Sequence, residues 1–292
     1  MAQGIRTIIN GSRYGAGNFS PDVPVDVSRF ATVTAVQPAE HVSSKYRFIP
    51  TTRPLSVLAD CGWFPVAVAE AGTRVEGRIG FQKHIVRLAH PDYNREMTVG
   101  GTIPQIVLSN EHSGGAAFEF LVGLYEKVCK NQLCVARGEA ARITVRHVGY
   151  ADRLVEECVR RIMAELPAVL GNVERFKCTR LSLCQQLNYA AKAIELRWDG
   201  DAYSVSPSEI VAPRHFEQRE PTLWNTFNRV QESVIRGGVK QVNAQGRKSR
   251  ARGIRSVDED IRINRGLWTL TEATADEIDG LLAYEARQRE AM

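Results

Sequence analysis

Three segments in the second half of the chain repeat their apolar residues at helical spacing, and this periodicity constrains the fold most. They are residues 152–166, 181–197 and 222–236. Asp152 can cap the first helix, and Pro167 and Gly171 are predicted to end it. Thr222 can cap the third helix, and the glycines at 237 and 238 are predicted to stop it. The second half of the chain is therefore predicted to be mainly helical.

Extended segments dominate the first half of the chain. Residues 74–88 alternate well enough to predict a long strand, and TIPQIVLSN (102–110) predicts a shorter one. GGAAFEFLVGLYEKVCKN (114–131) changes to helical spacing, which predicts a buried helix starting near Ser113. QLCVA and ARITVRHVG then predict a hairpin around Gly138. Strands and helices without strict alternation indicate an α+β fold, with a mixed or antiparallel sheet packed against several amphipathic helices.

Composition describes an ordinary globular chain of 292 residues, 43% hydrophobic and 24% charged. We expect an extended N-terminal segment (1–55), a core α+β domain (56–240), and a basic arm followed by an acidic C-terminal helix (241–292). No apolar run approaches the roughly 20 residues of a membrane span. The N-terminus also lacks the apolar stretch of a secretory signal. These features predict a cytoplasmic protein, in the host cytoplasm if it is phage-encoded, with no membrane partner.

Charge is distributed unevenly along the C-terminal part of the chain. Between positions 229 and 265 there are ten Lys or Arg residues and four acids, whereas positions 272–290 hold six acids and two arginines. The stretch VNAQGRKSRARGIRS (242–256) is the centre of the positive charge and contains no acid. It is either an arm that binds a phosphate backbone or a solvated loop, and the asymmetry favours the arm.

The predicted nucleic-acid-binding residues lie in and around this basic stretch. Trp268 is included because proteins that bind single strands place aromatic side chains where bases can stack, although it can equally anchor the terminal helix in the core. Asn228, Arg229 and Arg236 form a polar stripe on the third helix, where an Arg229–Glu232 ion pair is the structural alternative. The full set is Asn228, Arg229, Arg236, Arg247, Lys248, Arg250, Arg252, Arg255, Arg262, Arg265 and Trp268.

Three segments resemble a phage- and plasmid-like family, the domain of unknown function DUF932. They are IPQIVLSNEHSGGAAFEFLVGLYEKVCKNQLCV, ITVRHVG and LWNTFNRVQESVIRGG, within a similarity that spans roughly residues 45–240. The resemblance implies a mobile-element setting and supplies no catalytic residues. Ser113 stands where many relatives have Asp, so the resemblance implies no metal role for this turn.

The turn NEHSGG (110–115) is a second candidate site. If a helix starts here, Asn110 and Ser113 can cap it, and Gly114 and Gly115 allow an anion to approach its positive end. His112 is a candidate general base beside Ser113, although the sequence offers no Asp to orient it. A capped turn without bound ligand is the simplest interpretation, and phosphate binding or catalysis are the alternatives.

Chemistry beyond binding has little support in the sequence. The six cysteines contain no CxxC pair, so they are interpreted as buried free thiols, and neither a metal nor a cofactor is predicted. The function expected is single-stranded DNA binding or annealing in recombination or replication, on a homo-oligomer, without catalysis. The alternatives are a host-interaction protein that inhibits a defence system, and a metal-dependent nuclease or hydrolase using His112, His147 or the acids near Asp258.

Overall fold

The computed structural model shows a chain divided into two compact units. Unit 1 comprises residues 1–167 and 255–259, and unit 2 comprises residues 168–254 and 260–292. The basic stretch up to residue 254 therefore belongs to the same unit as residues 168–240. The structure describes residues 6–9, 12–13, 23–44, 46, 48–92, 102–116, 118–126, 131–134, 142–145, 152–198 and 202–290.

Unit 1 is built on an antiparallel sheet. Its strands are β1 (Arg6–Ile9), β2 (Ser12–Arg13), β3 (Phe64–Glu70), β4 (His84–Ala89), β5 (Thr102–Asn110), β6 (Phe118–Glu126), β7 (Asn131–Cys134) and β8 (Arg142–Val145). The order is β2-β1-β3-β4-β5-β6, and β6 then pairs with both β7 and β8. In the described part of β4, β5 and β6, through Leu124, every residue is buried, so both faces of the central sheet are covered. The α+β prediction is confirmed.

Helices of unit 1 lie between β2 and β3 and after β8. They are α1 (Ala31–Thr34), α2 (Thr52–Asp60) and the start of α3 (Asp152–Cys178). Arg53 of α2 donates two hydrogen bonds to the carboxylate of Asp152, at 2.7 and 3.1 Å. This contact connects the beginning of α3 to α2 within unit 1.

The helix predicted over residues 114–131 is a strand, β6. Residues 102–109 of β5 pair with residues 119–126 of β6 in an uninterrupted antiparallel register. Phe118 and Phe120 lie edge to face at 5.0 Å. Because both faces of β6 are buried, its apolar residues do not alternate with polar ones, and the continuous run imitates helical spacing.

The long strand predicted over residues 74–88 is wrong in its extent. Residues 84–89 form β4, whereas Glu76–Arg78 is a short 3-10 helix. Gly80, with φ +85°, lies in the turn before β4, where glycine is favoured. Two strands were also predicted as a hairpin around Gly138. Their described parts, β7 and β8, each pair with a different part of β6, and Gly138 lies outside the described residues.

Helix α3 continues through the residues predicted to end it. It runs from Asp152 to Cys178 with Pro167 inside it. Proline removes one intrahelical hydrogen bond. Buried apolar side chains continue on both sides of it, at Leu166 in unit 1 and at Val169 and Val173 in unit 2. Their burial outweighs the local cost, so the helix does not stop.

Unit 2 is mainly helical. Besides the end of α3 it contains α4 (Leu183–Glu195), α5 (Pro207–Val211), α6 (Leu223–Arg236) and most of α7 (Val257–Glu290), with a sheet of β9 (Tyr203–Val205), β10 (Lys240–Asn243) and β11 (Lys248–Arg250) in the order β11-β10-β9. The predicted helices α4 and α6 are confirmed. Ser182 and Gln185 form a capping box on α4. Thr222 caps α6 by accepting a hydrogen bond from the Asn225 amide at 3.1 Å.

Helix α6 is buried on every side. Eleven of its residues are buried, including Asn228, Arg229, Gln231 and Glu232. A helix that is buried all round lies at the centre of its unit, and its polar side chains must then find partners inside the protein. Within the described ranges, none of the helices is long and apolar enough to cross a bilayer.

Candidate nucleic-acid interface

The basic stretch forms a β-hairpin, here called the basic hairpin (residues 240–252). The Asn243 amide donates to the Arg247 carbonyl at 3.1 Å, and the Asn243 side chain accepts from the Arg247 amide at 2.8 Å. Gly246 closes the turn with φ +76°, a conformation that favours glycine. The cations of this segment are therefore carried by paired strands and one turn.

Strand register determines which cations share a face of this sheet. Lys240 lies opposite Arg250, and Val242 lies opposite Lys248. Because side chains alternate along a strand, Lys240, Lys248 and Arg250 lie on the same face. Gln241 lies on the other face, where its side chain accepts from the Trp198 indole at 3.1 Å and Val205 is buried. The packed face positions the cationic face toward solvent.

Four cations of the basic hairpin have no acidic partner among the residues that the structure describes. Arg247, Lys248, Arg250 and Arg252 are exposed, and no carboxylate in the described part of the chain forms an ion pair with any of them. Several other cations of unit 2 are paired or stacked: Arg175 with Asp276 and Asp279, Arg180 with Glu220, Lys192 with Glu277, Arg236 with Glu232, Lys240 with Glu209, and Arg219 on the Phe216 ring. The basic hairpin thus carries four unneutralised cations within six consecutive residues.

The Arg-Gly-Gly end of α6 holds the basic hairpin in place. The Gly238 amide donates to the Ala251 carbonyl at 2.8 Å, and the Ile254 amide donates to the Ile235 carbonyl at 2.8 Å. Gly237 has φ +72°, and a Cβ added there would lie 2.5 Å from the Ala251 carbonyl oxygen. Only glycine permits this close approach of two backbone segments, which explains the two glycines after the helix.

Replacing Gly237 with alanine is expected to lower the free energy of unfolding by about 3 kcal/mol, from the strained backbone conformation together with the steric contact. Gly246→Ala is the matched control, because Gly246 has a similar φ of +76° but no atom within 4 Å of its added Cβ. The control is expected to cost about 1 kcal/mol. Urea unfolding measures both values. Equal losses for the two variants would show that the contact with Ala251 contributes nothing.

The polar residues predicted on α6 do not form an exposed stripe. Asn228 and Arg229 are buried. The Arg229 guanidinium donates to the Gln186 side chain at 2.9 Å and to the Thr226 hydroxyl at 3.0 Å, and burial lowers its pKa. These residues were misassigned because their spacing shows a common face but not whether that face is exposed.

Glu232 does not pair with Arg229, as the structural alternative supposed. It accepts from Arg236 at 3.0 Å and lies 3.2 Å from His215 Nε2. The Arg236 side chain is therefore engaged at the surface of the buried helix, and it is not part of the unbalanced charge.

Trp268 is a core residue and not a stacking platform. Its side chain is fully buried, with its ring 5.5 Å from Phe176 and 6.1 Å from Phe227. Arg262 is exposed and donates to the Leu196 carbonyl at 2.8 Å, and Arg265 is half-buried. Arg255 is exposed but belongs to unit 1, so it is not assigned to the basic hairpin.

Acidic residues of the C-terminal helix are engaged inside unit 2. Arg175 bonds Asp276 at 2.8 Å and Asp279 at 2.6 Å, and this pairing raises its pKa. Glu272 accepts from the Asn172 amide at 2.6 Å. These carboxylates attach α7 to α3 within unit 2.

No helix begins at the turn NEHSGG, so the predicted anion site at a helix N-terminus is wrong. Asn110 ends β5, while His112, Ser113, Gly114 and Gly115 lie in the connection to β6. Ser113 donates to the Glu111 carboxylate, and His112 Nε2 instead lies 3.2 Å from the hydroxyl of Thr51. The predicted His112–Ser113 catalytic pair is therefore not assembled.

A buried hydrogen-bond network surrounds the Thr51 hydroxyl in unit 1. It lies 2.8 Å from His84 Nε2 and 3.2 Å from His112 Nε2, and it accepts from the Asn110 amide at 2.9 Å. His84 Nδ1 is 3.1 Å from the Gln82 carbonyl, which can only accept, so the neutral ring accepts at Nε2. Thr51 therefore donates to His84, and His112 donates to Thr51.

This network requires a neutral His84. Burial, followed by the nearby His112, lowers the His84 pKa to about 3. Protonated His84 would present a donor to a hydroxyl that already faces two other donors. Because the four side chains are fully buried, the network has a structural role.

Acid is expected to destabilise unit 1 through His84. Its folded pKa is depressed below the unfolded value of about 6.5, so its contribution is present above pH 6.5 and is lost as pH falls toward 3. The expected loss between pH 7 and pH 5 is about 2 kcal/mol. Urea unfolding of wild type and His84→Gln at both pH values measures it. A wild type whose stability falls no more than that of the variant would contradict this assignment.

Metal-ligand candidates are not clustered in the described residues. There, no group of three or more His, Cys, Asp or Glu side chains can hold a metal ion. Asp258, one of the acids considered for a nuclease, forms an ion pair with Lys83. Cys158 is buried, whereas Cys61, Cys178 and Cys184 are exposed, which corrects the expectation of buried thiols. His147 and two of the cysteines, Cys129 and Cys134, have side chains outside the described residues.

Two residues near the basic hairpin were missed from the sequence. Tyr203 is 40% exposed on β9 and lies opposite Asn243, at the end of the hairpin that carries Arg247. Arg214 is exposed and bonds the Gly237 carbonyl. Both precede α6 in the chain, so no local pattern connects them to residues 240–252.

Comparisons with known proteins agree with the motifs. The model of the domain of unknown function DUF932 matches residues 38–268. The UPF0380 protein YafZ of Escherichia coli K12 is 31% identical over 268 residues, covering 90% of this chain and 96% of YafZ. The UPF0380 protein YfjQ of the same organism is 30% identical over 267 residues, covering 89% and 96%. No solved structure matches significantly. The chain thus belongs to the DUF932 family, as the three sequence motifs indicated.

Proposed function

We propose that this protein binds the phosphate backbone of single-stranded DNA through the basic hairpin. The observation that carries the proposal is the group of four exposed cations, Arg247, Lys248, Arg250 and Arg252, which have no acidic partner in the described part of the chain. Phosphate contacts by Lys and Arg supply most of the sequence-independent affinity for nucleic acids. The hairpin is held by the packed side of its sheet and by the Arg-Gly-Gly turn, so its charges are positioned before a strand binds.

Tyr203 supports a preference for single strands. Tyr203 is partly exposed on the Gln241 face of the sheet, opposite to the face of Lys248 and Arg250. Its strand neighbour Asn243 bonds Arg247, so an aromatic side chain and a cation occur at one end of the hairpin. Stacking on a base contributes about 1–3 kcal/mol, and only an unpaired base offers an accessible face. Tyr203 replaces Trp268 as the candidate stacking residue.

The biological role that we propose is annealing or protection of single strands during recombination or replication of a mobile element. Such a role requires no catalytic residue. Binding through the backbone leaves most base edges open to a complementary strand. A homo-oligomer, in the cytoplasm of the host, would extend the cationic surface along the strand.

The test is fluorescence-anisotropy binding of labelled single-stranded and duplex oligonucleotides at 50 mM salt. At this low salt, phosphate contacts contribute strongly to affinity, because each contact releases about 0.7 of a counterion from a single strand. Replacing Arg247, Lys248, Arg250 and Arg252 with alanine is expected to weaken single-strand binding by at least about 100-fold. The charge-matched control replaces Arg160, Arg161, Arg287 and Arg289, which are exposed on helices. The control is expected to bind like wild type.

A second candidate function is binding to a host protein, including a defence factor. Leu183 and Phe216 are 68% and 74% exposed in unit 2, and exposed apolar side chains are common in protein contacts. This candidate predicts a stoichiometric protein complex and no DNA affinity. A wild type that fails to bind either oligonucleotide at low salt would favour it over the DNA proposal.

A further inference from the structure

We infer that Arg214 and Arg250 form a phosphate-binding pair at the base of the basic hairpin. The inference rests on the proposed function and adds a residue and a ligand chemistry to it. The ligand is a phosphodiester group of the bound strand. Arg214 lies outside the hairpin, in the segment that leads to the Phe216–Arg219 turn.

Both guanidinium groups are anchored on the same turn. Arg250 Nη1 donates to the Gly238 carbonyl at 2.6 Å, and Arg214 Nη2 donates to the Gly237 carbonyl at 3.0 Å. The two carbonyls belong to consecutive peptide units, whose Cα atoms are about 3.8 Å apart. Adding the two hydrogen bonds and two C=O bonds of about 1.2 Å to that spacing places the two donating nitrogens within about 12 Å of each other.

Most donors of the pair remain available. A guanidinium has five N–H groups, and each arginine uses one of them in its carbonyl bond. Both residues are exposed, and neither forms an ion pair with a carboxylate of the described residues. Glu209 lies near this end of the hairpin, but it is engaged by Lys240, with Nζ at 3.6 Å. The pair thus presents unneutralised donors to solvent.

Phosphate is the ligand that this arrangement fits best. The planar fork of arginine matches phosphate oxygens in a bidentate manner, and an anchored side chain loses less entropy on binding. Two guanidinium groups held at one turn can contact a single phosphate or two neighbouring phosphates of one strand. A strand held here would continue over Lys248 on the same face of the sheet.

The experiment compares Arg214→Gln with wild type in anisotropy titrations over a salt series, using a labelled single-stranded oligonucleotide. Losing one phosphate contact is expected to reduce the magnitude of the slope of log K against log salt by about 0.7. If the variant and wild type bind equally at 1 M salt, this difference in slope makes the variant bind about eightfold more weakly than wild type at 50 mM salt. Arg219→Gln is the control, since it removes the same charge from a side chain that stacks on Phe216. The control is expected to keep the wild-type slope.

The outcomes separate this inference from the proposed function. If the four-alanine hairpin variant loses binding while Arg214→Gln keeps the wild-type slope, the pair is refuted and the DNA proposal stands. If the hairpin variant also binds like wild type, both fail. Urea midpoints are measured for each variant. If Arg214→Gln proves unstable, Arg250→Gln takes its place, because Arg250 lies on an exposed strand. It must then show the same reduction of the slope, and an unchanged slope refutes the pair.

Discussion

Replacing Trp268 with alanine is expected to lower the free energy of unfolding by about 3–5 kcal/mol. The indole is fully buried against Phe176 and Phe227, and a well-packed core does not close around the space it leaves. The loss is expected in the unfolding of unit 2, measured in urea by circular dichroism or tryptophan fluorescence.

Trp268→Phe is the matched variant for this prediction. It keeps most of the aromatic volume and removes an indole N–H that has no hydrogen-bond partner among the described residues. Its cost is expected to be below about 1.5 kcal/mol. DNA affinity of the folded Trp268→Phe protein is expected to equal that of wild type. A variant that stays as stable as wild type while losing single-strand affinity would return Trp268 to the binding site.

The helices were predictable where an apolar face is one-sided and the ends carry caps. Helix α4 begins at its capping box, and α6 begins after Thr222 and ends before Gly237. Strand β6 was wrongly predicted as a helix, because a strand buried on both faces lacks the alternation of apolar and polar residues that identifies strands. The end of α3 was wrongly predicted at Pro167, since the helix-breaking tendency of proline does not take into account the buried side chains on both sides of it.

The candidate site was predictable in its charge but not in its shape. The cluster of cations from Arg247 to Arg252 is evident in the sequence. The face of the sheet on which each cation lies depends on the register between β11, β10 and β9. Arg229 was predicted as part of an exposed polar stripe, but it is buried and donates a hydrogen bond to Gln186. Burial and strand pairing are properties of the whole fold, and one sequence segment does not contain them.

The salt dependence of single-strand binding measures how many phosphate contacts the basic hairpin makes. Four phosphate contacts by the cations of the basic hairpin contribute about −2.8 to the slope of log K against log salt. Raising salt from 50 to 200 mM should then weaken wild-type binding by at least about 50-fold. The variant with Arg247, Lys248, Arg250 and Arg252 replaced by alanine should show a slope smaller in magnitude by about 2.8, while the charge-matched helix variant keeps the wild-type slope. A wild-type affinity that does not change with salt, or equal slopes for wild type and the hairpin variant, would contradict the account.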